Sequence, residues 1–491
     1  MNKLRFGWSE VSLLPEGRKI SLAGQFYERI TDEVKDPISV TALAVESGGE
    51  CAIFCACDLV SVGSRLIGSV RNILGKDFPT DKLIVSAIHT HTSFEYAGSD
   101  DSYGNTLAVL EKYTPKGVEY EKLADDKAGD VLDGMEAHAF LAERIARAAR
   151  EAYESLREGS YAPGFGRAAV GMCRRVRYLD GSAKMWGDTD TPDFSELEGG
   201  SDSGIELLFT ADTAGKLTGV VACLACPAQV LEHKSVISAD FWGEVKGMLR
   251  RHFGSDVFLL PLCAPAGDQC PRDMIRWIDP ESAINDPNIQ RDRQSHRRAD
   301  PSMFDDRGCK RVARRIFDEI VYAYSEAGPY AESAEFIHKT EQFKIPIRRV
   351  SDEECASARA AIESFFAGRK GNINFKDNAA MHVHAGTLAR YEVQQDLVYD
   401  TIELHFIRLG DIAFATDPYE LFLDYGNRMR ARSKAAQTFL IQLACGSKGY
   451  LPTARAEAGS HYSAYVSSGT VGHEGGELLV EKTVTEINSM F

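Results

Sequence analysis

Residues 83–96 read LIVSAIHTHTSFEY, a largely apolar run that ends in two histidines one residue apart. The run from Leu83 to Ile88 is typical of a buried strand. Side chains alternate across a strand, so we expect His89 and His91 to point to the same side. Two charged imidazoles would repel each other. They are compatible if both are neutral and share a cation, or if one binds a metal while the other transfers protons. A polar strand end with two solvated histidines is the alternative.

Further strand-like runs alternate with helical patterns, which predicts an α/β architecture. The expected strands are 38–47, 50–60, 82–88, 204–212, 217–226, 256–263 and a hairpin over 402–417; the expected helices are 136–158, 240–253 and 418–435. The length of 491 residues suggests about three domains, but the chain has no Pro-rich or Ser/Gly-rich linker, so one large domain fits as well. Residues 278–306 are polar and mixed in charge, and we expect them to be a surface insertion.

Composition excludes several classes of partner. The net charge of −16 argues against non-specific binding to nucleic acid and against stable association with an anionic membrane. The first 17 residues contain no apolar run after their basic residues, and no segment reaches the length needed to span a bilayer. Several of the 11 cysteines lie inside apolar runs, which favours buried thiols over a disulfide framework. We therefore expect a cytoplasmic protein with a small-molecule substrate, and a homo-oligomer remains open.

A second informative stretch is LLPLCAPAGDQCPRD, residues 259–273, where a strand leads into a turn containing Gly267 and Asp268. Glycine allows a sharp turn that exposes amide groups. Cys270 lies beside Arg272, so its thiol could have a lowered pKa and act as a nucleophile. It could equally position a substrate carbonyl, and a tight turn with a buried cysteine is the simplest alternative.

Other chemistry-bearing residues also follow expected strands. His233 and Asp240 lie in a loop after the strand that ends near Cys226, which is where open α/β sheets bind ligands. Glu420 follows Pro418 at an expected helix start, where an acidic residue suits the helix dipole or could be a metal ligand. Near the C-terminus, the Gly- and Tyr-rich segment 446–472 is either a surface loop or the cover of a pocket.

Taken in order, these segments resemble the catalytic domain of the neutral/alkaline ceramidase family of zinc amidohydrolases, over nearly the whole chain. The matching stretches are SEVSLLPEGRKISLAGQFYERITDEVKDPISVTALAV near the N-terminus, CDL at 57–59, HTHTS at 89–93, ISAD at 237–240, GDQCP at 267–271, PYE at 418–420 and GYLPT at 449–453. The resemblance implies a single catalytic domain, residues 1–491, with a large mixed β-sheet flanked by helices. From the sequence we expect neither the family's C-terminal immunoglobulin-like domain nor its secretion signal.

The resemblance also implies roles for individual residues. One Zn²⁺ would be held by His89, Glu420, Tyr450 and a second histidine, with His91 beside the zinc-bound water. Where the family has that second histidine, this chain has Cys226 and Pro227, and His233 is the substitute ligand that we assign. The residues expected to contact substrate are Gln229, Arg272, Tyr462 and Tyr465. The family's turn serine is Cys270 here, and this turn, with Asp268, would hold the developing oxyanion.

The leading hypothesis is therefore a zinc-dependent hydrolase that cleaves an amide or ester bond of a small soluble substrate, with His91 transferring the proton. One rival is a hydrolase with Cys270 as nucleophile and His91 as base. A second is a relative that has lost hydrolysis and binds a carbohydrate or metabolite. A third is lyase or isomerase chemistry on a sugar, for which the QVLEH loop, residues 229–233, would suit a hydroxyl-rich ligand.

Overall fold

The computed structural model describes residues 2–25, 27–101, 103–119, 130–275, 305–367, 369 and 371–491. Its strands are β1 Leu4–Ser12, β2 Ile20–Ser21, β3 Ile30–Thr31, β4 Ser39–Ser47, β5 Glu50–Cys57, β6 Leu83–Ala87, β7 Arg157–Arg167, β8 Met172–Cys173, β9 Arg175–Tyr178, β10 Ala183–Met185, β11 Phe194–Leu197, β12 Gly204–Asp212, β13 Leu217–Leu224, β14 Phe258–Cys263, β15 Gln269–Cys270, β16 Phe336–Pro346, β17 Tyr399–Leu409, β18 Ile412–Thr416, β19 Glu420–Leu421, β20 Gln437–Ile441 and β21 Tyr450–Leu451.

The α-helices are α1 Ser64–Leu74, α2 Thr106–Tyr113, α3 Gly134–Glu154, α4 Phe241–Phe253, α5 Asp306–Glu326, α6 Asp352–Phe366, α7 Phe375–Val393, α8 Leu423–Arg432, α9 Ala454–Gly459 and α10 His473–Asn488. The long helix α3 shows how the sequence sets these bounds. Asp133 accepts hydrogen bonds from the amides of Met135 and Glu136, and Glu136 completes a capping box. A stripe of buried alanines then lets α3 lie close against β1 and β4.

Two β-sheets form the centre of the molecule. The larger has eight strands in the order β14-β13-β12-β7-β1-β4-β5-β6, and the smaller has four in the order β16-β17-β18-β20. Most neighbours are antiparallel, but β5–β6, β13–β14 and β18–β20 run parallel. One shared hydrophobic core includes residues of both sheets, and the rings of Phe54 and Phe414 lie 5.4 Å apart across it. Burying one such side chain contributes about 1.5–3 kcal/mol.

Helices cover the outer faces of both sheets. α3 packs on β1, β4 and β5, with α1 against it, while α4 packs beside α5 near β7 and β14. On the other side, α8 and α10 lie against the four-stranded sheet. The predicted fold class, a large mixed sheet flanked by helices, is thus confirmed. The second sheet was not foreseen from the sequence.

Two local predictions were wrong. Strand β6 ends at Ala87, before the histidines, so strand alternation does not set their direction. Glu420 lies in the short strand β19, outside the helix, because α8 begins only at Leu423. The predicted insertion at 278–306 lies outside the described residues except for Asp305 and Asp306, at the start of α5. The single-domain assignment stays a prediction.

All eleven cysteines are free and buried. Among the described residues, no helix combines the length and the apolar character that crossing a bilayer requires.

Candidate functional site

The candidate site lies where parallel strands end. The carboxyl ends of β6, β13, β14, β18 and β20 lead into loops that carry the predicted site residues, and in sheets with parallel strands such ends form binding crevices. Backbone hydrogen bonds join these loops. The amide of Ala228 donates to the Ile88 carbonyl at 3.3 Å, and the amide of Gly267 donates to the Leu421 carbonyl at 2.9 Å.

His89 is held in a defined orientation. Its φ of 65° lies in the left-handed region, which is uncommon for a residue with a side chain and is found at functional sites. Its Nδ1 lies 2.8 Å from the Val60 carbonyl oxygen. A carbonyl can only accept, so Nδ1 carries the hydrogen, and in the neutral ring Nε2 carries the lone pair. That Nε2 faces Glu420, with 3.4 Å between Nε2 and Oε2.

His138, another buried histidine, has a hydrogen-bond donor facing its Nε2 lone pair. The Nδ1 of His138 also contacts a backbone carbonyl, that of Ala97, at 2.8 Å. Its Nε2 lies 2.9 Å from the Ser69 hydroxyl, which can donate a hydrogen bond. His89 Nε2 instead faces a carboxylate oxygen, which cannot donate when ionised. A cation shared by His89 and Glu420, either a proton on Nε2 or a metal ion, would stabilise this arrangement.

Glu420 is fixed by its backbone. Strand β19 pairs in parallel with β21, so Glu420 lies opposite Tyr450, and the Glu420 amide donates to the Gly449 carbonyl at 2.9 Å. The turn after β14 lies against the same backbone. A Cβ atom on Gly267 would come within 2.2 Å of the Glu420 carbonyl oxygen, so this position requires glycine.

His91 lies beside His89, with 3.3 Å between their Nε2 atoms and ring planes at 81°. The amide nitrogen of Gln229 lies 2.9 Å from His91 Nε2, so that nitrogen accepts a hydrogen bond. Burial, the neighbouring His89 and two arginines hold the pKa of His91 well below its usual value, so the ring is neutral. Glu232 lies further out, with its Oε2 3.3 Å from the Gln229 amide and 3.9 Å from His91 Nδ1.

Arg174 connects these groups at the centre of the site. Its guanidinium is fully buried and donates to Gln229 Oε1 at 3.1 Å, to the Gly267 carbonyl at 2.9 Å and to the Tyr450 hydroxyl at 3.2 Å. These bonds fix the Gln229 amide so that its nitrogen faces His91. The Arg174 Nη2 also lies 3.9 Å from Glu420 Oε2, which places a positive charge beside that carboxylate.

The C-terminal tyrosine segment closes one side. The Tyr450 hydroxyl bonds to that of Tyr462, and their rings lie edge to face at 5.5 Å. Arg175 holds this segment by donating to the carbonyls of Tyr462 and Ser460, both at 2.8 Å, and by a buried ion pair with Glu198. Tyr465, the other predicted substrate contact in this segment, packs beside His461, with ring centroids 6.0 Å apart.

Three predicted residues of the turn after β14 lie at the edge of this cluster. Cys270 is fully buried, its thiol donates to the Arg272 carbonyl at 3.4 Å, and burial raises its pKa to about 12. Asp268 accepts from the Leu423 amide at 2.9 Å and so caps α8, while burial raises its pKa to about 6. The guanidinium of Arg272 stacks over the Trp186 ring at 5.2 Å. The thiol is thus protonated and bonded to the Arg272 carbonyl, which speaks against a cysteine nucleophile.

His233 is not brought into the cluster. Within the described ranges, the ligand atoms of His89, His233 and Glu420 do not all lie within 4.8 Å of one another. Burial and the charges of Lys234 and Arg29 lower the pKa of His233 to about 4. The described part of the chain does contain one set of three such atoms within that distance, in Glu403, His405 and Cys445, none of which was predicted.

Sequence reasoning also missed Arg174 and Glu232. Arg174 lies in CRRVRY, residues 173–178, which reads as a basic, solvated run. Glu232 lies in the same QVLEH loop as Gln229, three residues on, so the two side chains can meet along one turn. The loop's position after β13 was the only available signal.

No protein-family model matches the sequence, and no curated protein matches it. Two solved structures share its fold over 100% of this chain and 75% of their own, each at 14% identity. They are neutral ceramidase from Pseudomonas aeruginosa, with a TM-score of 0.66, and a ceramidase complexed with C2, with a TM-score of 0.65. Identity this low shows the fold alone. The chain therefore has a ceramidase-like fold.

Proposed function

We propose that this protein is a hydrolase that cleaves an amide or ester bond of a small soluble substrate, with a divalent cation held by His89 and Glu420. The single observation that carries the proposal is the facing pair of His89 Nε2 and Glu420 Oε2 at 3.4 Å, with His89 Nδ1 committed to the Val60 carbonyl. The ceramidase-like fold adds support, because its solved neighbours bear the name of an amide hydrolase.

The donor set fits a zinc ion. Metal-bound histidines usually donate their second ring N–H to a carbonyl or carboxylate, as His89 does to Val60. Two ligands about 2.0–2.1 Å from a tetrahedral ion lie about 3.3–3.4 Å apart, and the His89–Glu420 spacing of 3.4 Å matches that edge. Tyr450 lies opposite Glu420 in the β19–β21 pair and would be the third donor. When bound, zinc supplies a water of lowered pKa and polarises a carbonyl.

The chain's own residues then divide the remaining tasks. His91 is neutral and can take a proton only at Nε2, by giving up its bond from Gln229. The Gln229 amide holds the ring until that proton arrives, and Glu232 beside Nδ1 stabilises the imidazolium that results. Arg174 donates to both Gln229 and Tyr450 and so fixes the positions of these two side chains. Tyr462, whose ring packs edge to face on that of Tyr450, is the aromatic contact that we assign to the substrate.

The test combines metal analysis with hydrolysis. Purified protein, a metal-free sample and a zinc-reconstituted sample are assayed against a panel of N-acyl amides and esters, and bound metal is measured by elemental analysis. His89→Ala and Glu420→Gln should lose both the metal and the hydrolysis. His138→Ala is the matched control, since His138 is also buried and bound to a carbonyl, and it should keep both. Full activity in the metal-free sample would refute the proposal.

One observation favours a second candidate. The Arg174 guanidinium lies 3.9 Å from Glu420 and could serve as the cation for that carboxylate. Such a site would bind a metabolite without hydrolysing it. In that case the wild-type chain would bind no divalent metal, and Arg174→Met would gain metal affinity.

A further inference from the structure

A second buried histidine faces a carboxylate in a different part of the molecule. His338 on β16 and His405 on β17 lie side by side, with 2.9 Å between His338 Nε2 and His405 Nδ1. His338 Nδ1 lies 2.8 Å from the Cys51 carbonyl, and His405 Nε2 lies 2.9 Å from Glu403 Oε1. Two imidazoles thus form a chain between two groups that accept hydrogen bonds.

The hydrogens of this chain can be counted. The Cys51 carbonyl only accepts, so His338 Nδ1 donates to it and His338 Nε2 accepts. His405 Nδ1 must then donate to His338 Nε2. Two neutral rings carry two hydrogens, and both are now placed. The lone pair of His405 Nε2 therefore points at the Glu403 carboxylate, an arrangement that a cation shared by the two groups would stabilise.

A third donor reaches the same point. Cys445 follows β20 with a φ of 57°, and its thiol bonds to the Glu403 carboxylate. One ligand atom each from Glu403, His405 and Cys445 lies within 4.8 Å of the others. Nitrogen, oxygen and sulfur ligands of a tetrahedral zinc ion lie about 3.3–3.7 Å apart, so small side-chain movements would close the site. His405 is fully buried and Cys445 nearly so.

We propose that Glu403, His405 and Cys445 form a second metal site, which binds a thiophilic divalent cation of the zinc class. On binding, the Cys445 S–H bond breaks, its proton leaves to solvent, and the thiolate, His405 Nε2 and a Glu403 oxygen each form a bond to the metal. No oxidant or reductant takes part. The two-histidine chain to Cys51 fixes the orientation of the ligand ring, as the partners of metal-bound histidines usually do.

The surrounding charges set the chemistry of the ion. Arg71 from α1 holds Glu403 with both guanidinium nitrogens, one of them 2.9 Å from Oε2. Lys82 donates to the His338 carbonyl at 2.9 Å and pairs with Glu50 at 2.8 Å. Arg71 competes with a metal for the carboxylate. A hard cation that binds oxygen alone is therefore disfavoured, whereas the thiolate favours zinc or cobalt.

The site would act as a cross-link. Glu403 and His405 belong to β17, while Cys445 lies in the loop after β20. The amide of Cys445 donates to the Val85 carbonyl of β6 at 2.9 Å. Val85 lies four residues before His89. A metal at Cys445 would therefore join the four-stranded sheet to the loop that abuts the strand leading into the candidate active site. Its role is structural, and hydrolysis does not pass through it.

Cobalt is the probe that separates this site from the first one. Metal-free protein is titrated with Co²⁺ and the near-ultraviolet thiolate-to-cobalt band is recorded. The band should be complete by two equivalents in the wild type, which has both sites, and by one equivalent in His89→Ala, which has lost the first site. It should be absent from Cys445→Ser and present in Cys355→Ser, a control cysteine of similar burial in α6. Hydrolysis by Cys445→Ser should stay within about twofold of wild type.

The overturning results are equally direct. A wild-type chain without the band, or a band that persists in Cys445→Ser, would place a proton instead of a metal on His405. If Cys445→Ser does not fold, zinc-edge X-ray absorption of zinc-loaded His89→Ala, which keeps only the second site, decides. One sulfur about 2.3 Å from the zinc supports the site, and only nitrogen and oxygen neighbours refute it. If His89→Ala loses one metal ion but keeps the band, the two sites bind metal independently.

Discussion

Gly267→Ala tests how the turn after β14 positions Glu420. An ideal Cβ atom at residue 267 would lie 2.2 Å from the Glu420 carbonyl oxygen and 2.7 Å from its carbon. Real Cβ atoms essentially never approach closer than 3.0 Å, so the two backbones must separate by at least 0.8 Å. Neither neighbour is a flexible side-chain end, so the strain falls on β19, which carries Glu420 opposite Tyr450.

We expect two consequences of this separation. Overpacking a closely packed region costs about 1–3 kcal/mol, so the free energy of unfolding in urea should fall by about 2 kcal/mol. A displacement of about 1 Å in a reacting group can cost about a hundredfold in rate, so hydrolysis and zinc affinity should both weaken far more than stability alone explains. Isothermal titration with zinc gives the affinity, and equilibrium denaturation gives the stability.

Gly200→Ala is the matched control. Residue 200 lies in the loop after β11, and a Cβ atom there would meet nothing within 4 Å. Its unfolding free energy should stay within about 0.5 kcal/mol of wild type. Wild-type stability and wild-type zinc affinity in Gly267→Ala would refute the claim that this turn fixes Glu420.

Three further predictions concern buried ionisable groups. Lys246→Met removes the partner of the fully buried Asp58, whose carboxylate lies 2.9 Å away, and should cost about 3–5 kcal/mol in urea denaturation; adding Asp58→Asn should restore part of that loss. Cys270→Ser should retain hydrolysis and the wild type should resist iodoacetamide, because a thiol with a pKa of about 12 is protonated and inert. Burial lowers the pKa of His461 to about 4, so as the pH falls the unfolded chain binds a proton at this histidine before the folded chain does. The free energy of unfolding should therefore fall as the pH drops from about 6.5 to about 4. The fall should be less steep in His461→Gln.

The controls for these predictions lie in the same chain. Lys216 pairs with Asp256 at 3.1 Å on an exposed surface, so Lys216→Met should change stability far less than Lys246→Met does. A loss equal to that of Lys246→Met would contradict the argument from burial. Rapid inactivation by iodoacetamide, with protection by substrate, would restore Cys270 as a nucleophile. An equally steep acid profile in His461→Gln would show that other groups set it.

The sequence predicted the architecture because strand runs and helical patterns are local. It also predicted that His89 and Glu420 follow strands, but these strands, β6 and β18, belong to different sheets, and only the packing of the two sheets brings the residues together. The reason given for pairing His89 with His91 was wrong, however. Their rings meet through a loop in which His89 has a positive φ, and no alternation pattern signals that conformation.

The identity of the second ligand could not be read from the sequence. The chain has no histidine at the end of β13. His233 is the nearest histidine along the chain, and this proximity was the only reason to assign it as the substitute metal ligand. In the folded protein Gln229 contacts His91, while His233 lies near Lys234 and Arg29. Arg174 was missed for a related reason, because a buried guanidinium and a solvated one have the same local sequence. Only the tertiary partners Gln229, Gly267 and Tyr450 distinguish them.

The central claim is that a metal ion lies between His89 and Glu420. Crystals of zinc-loaded protein, measured with anomalous scattering on either side of the zinc absorption edge, test it most directly. The account predicts a peak with His89 Nε2 and a Glu420 oxygen each about 2.0–2.2 Å away. Density that joins the imidazole directly to the carboxylate, with no anomalous peak between them, would contradict it.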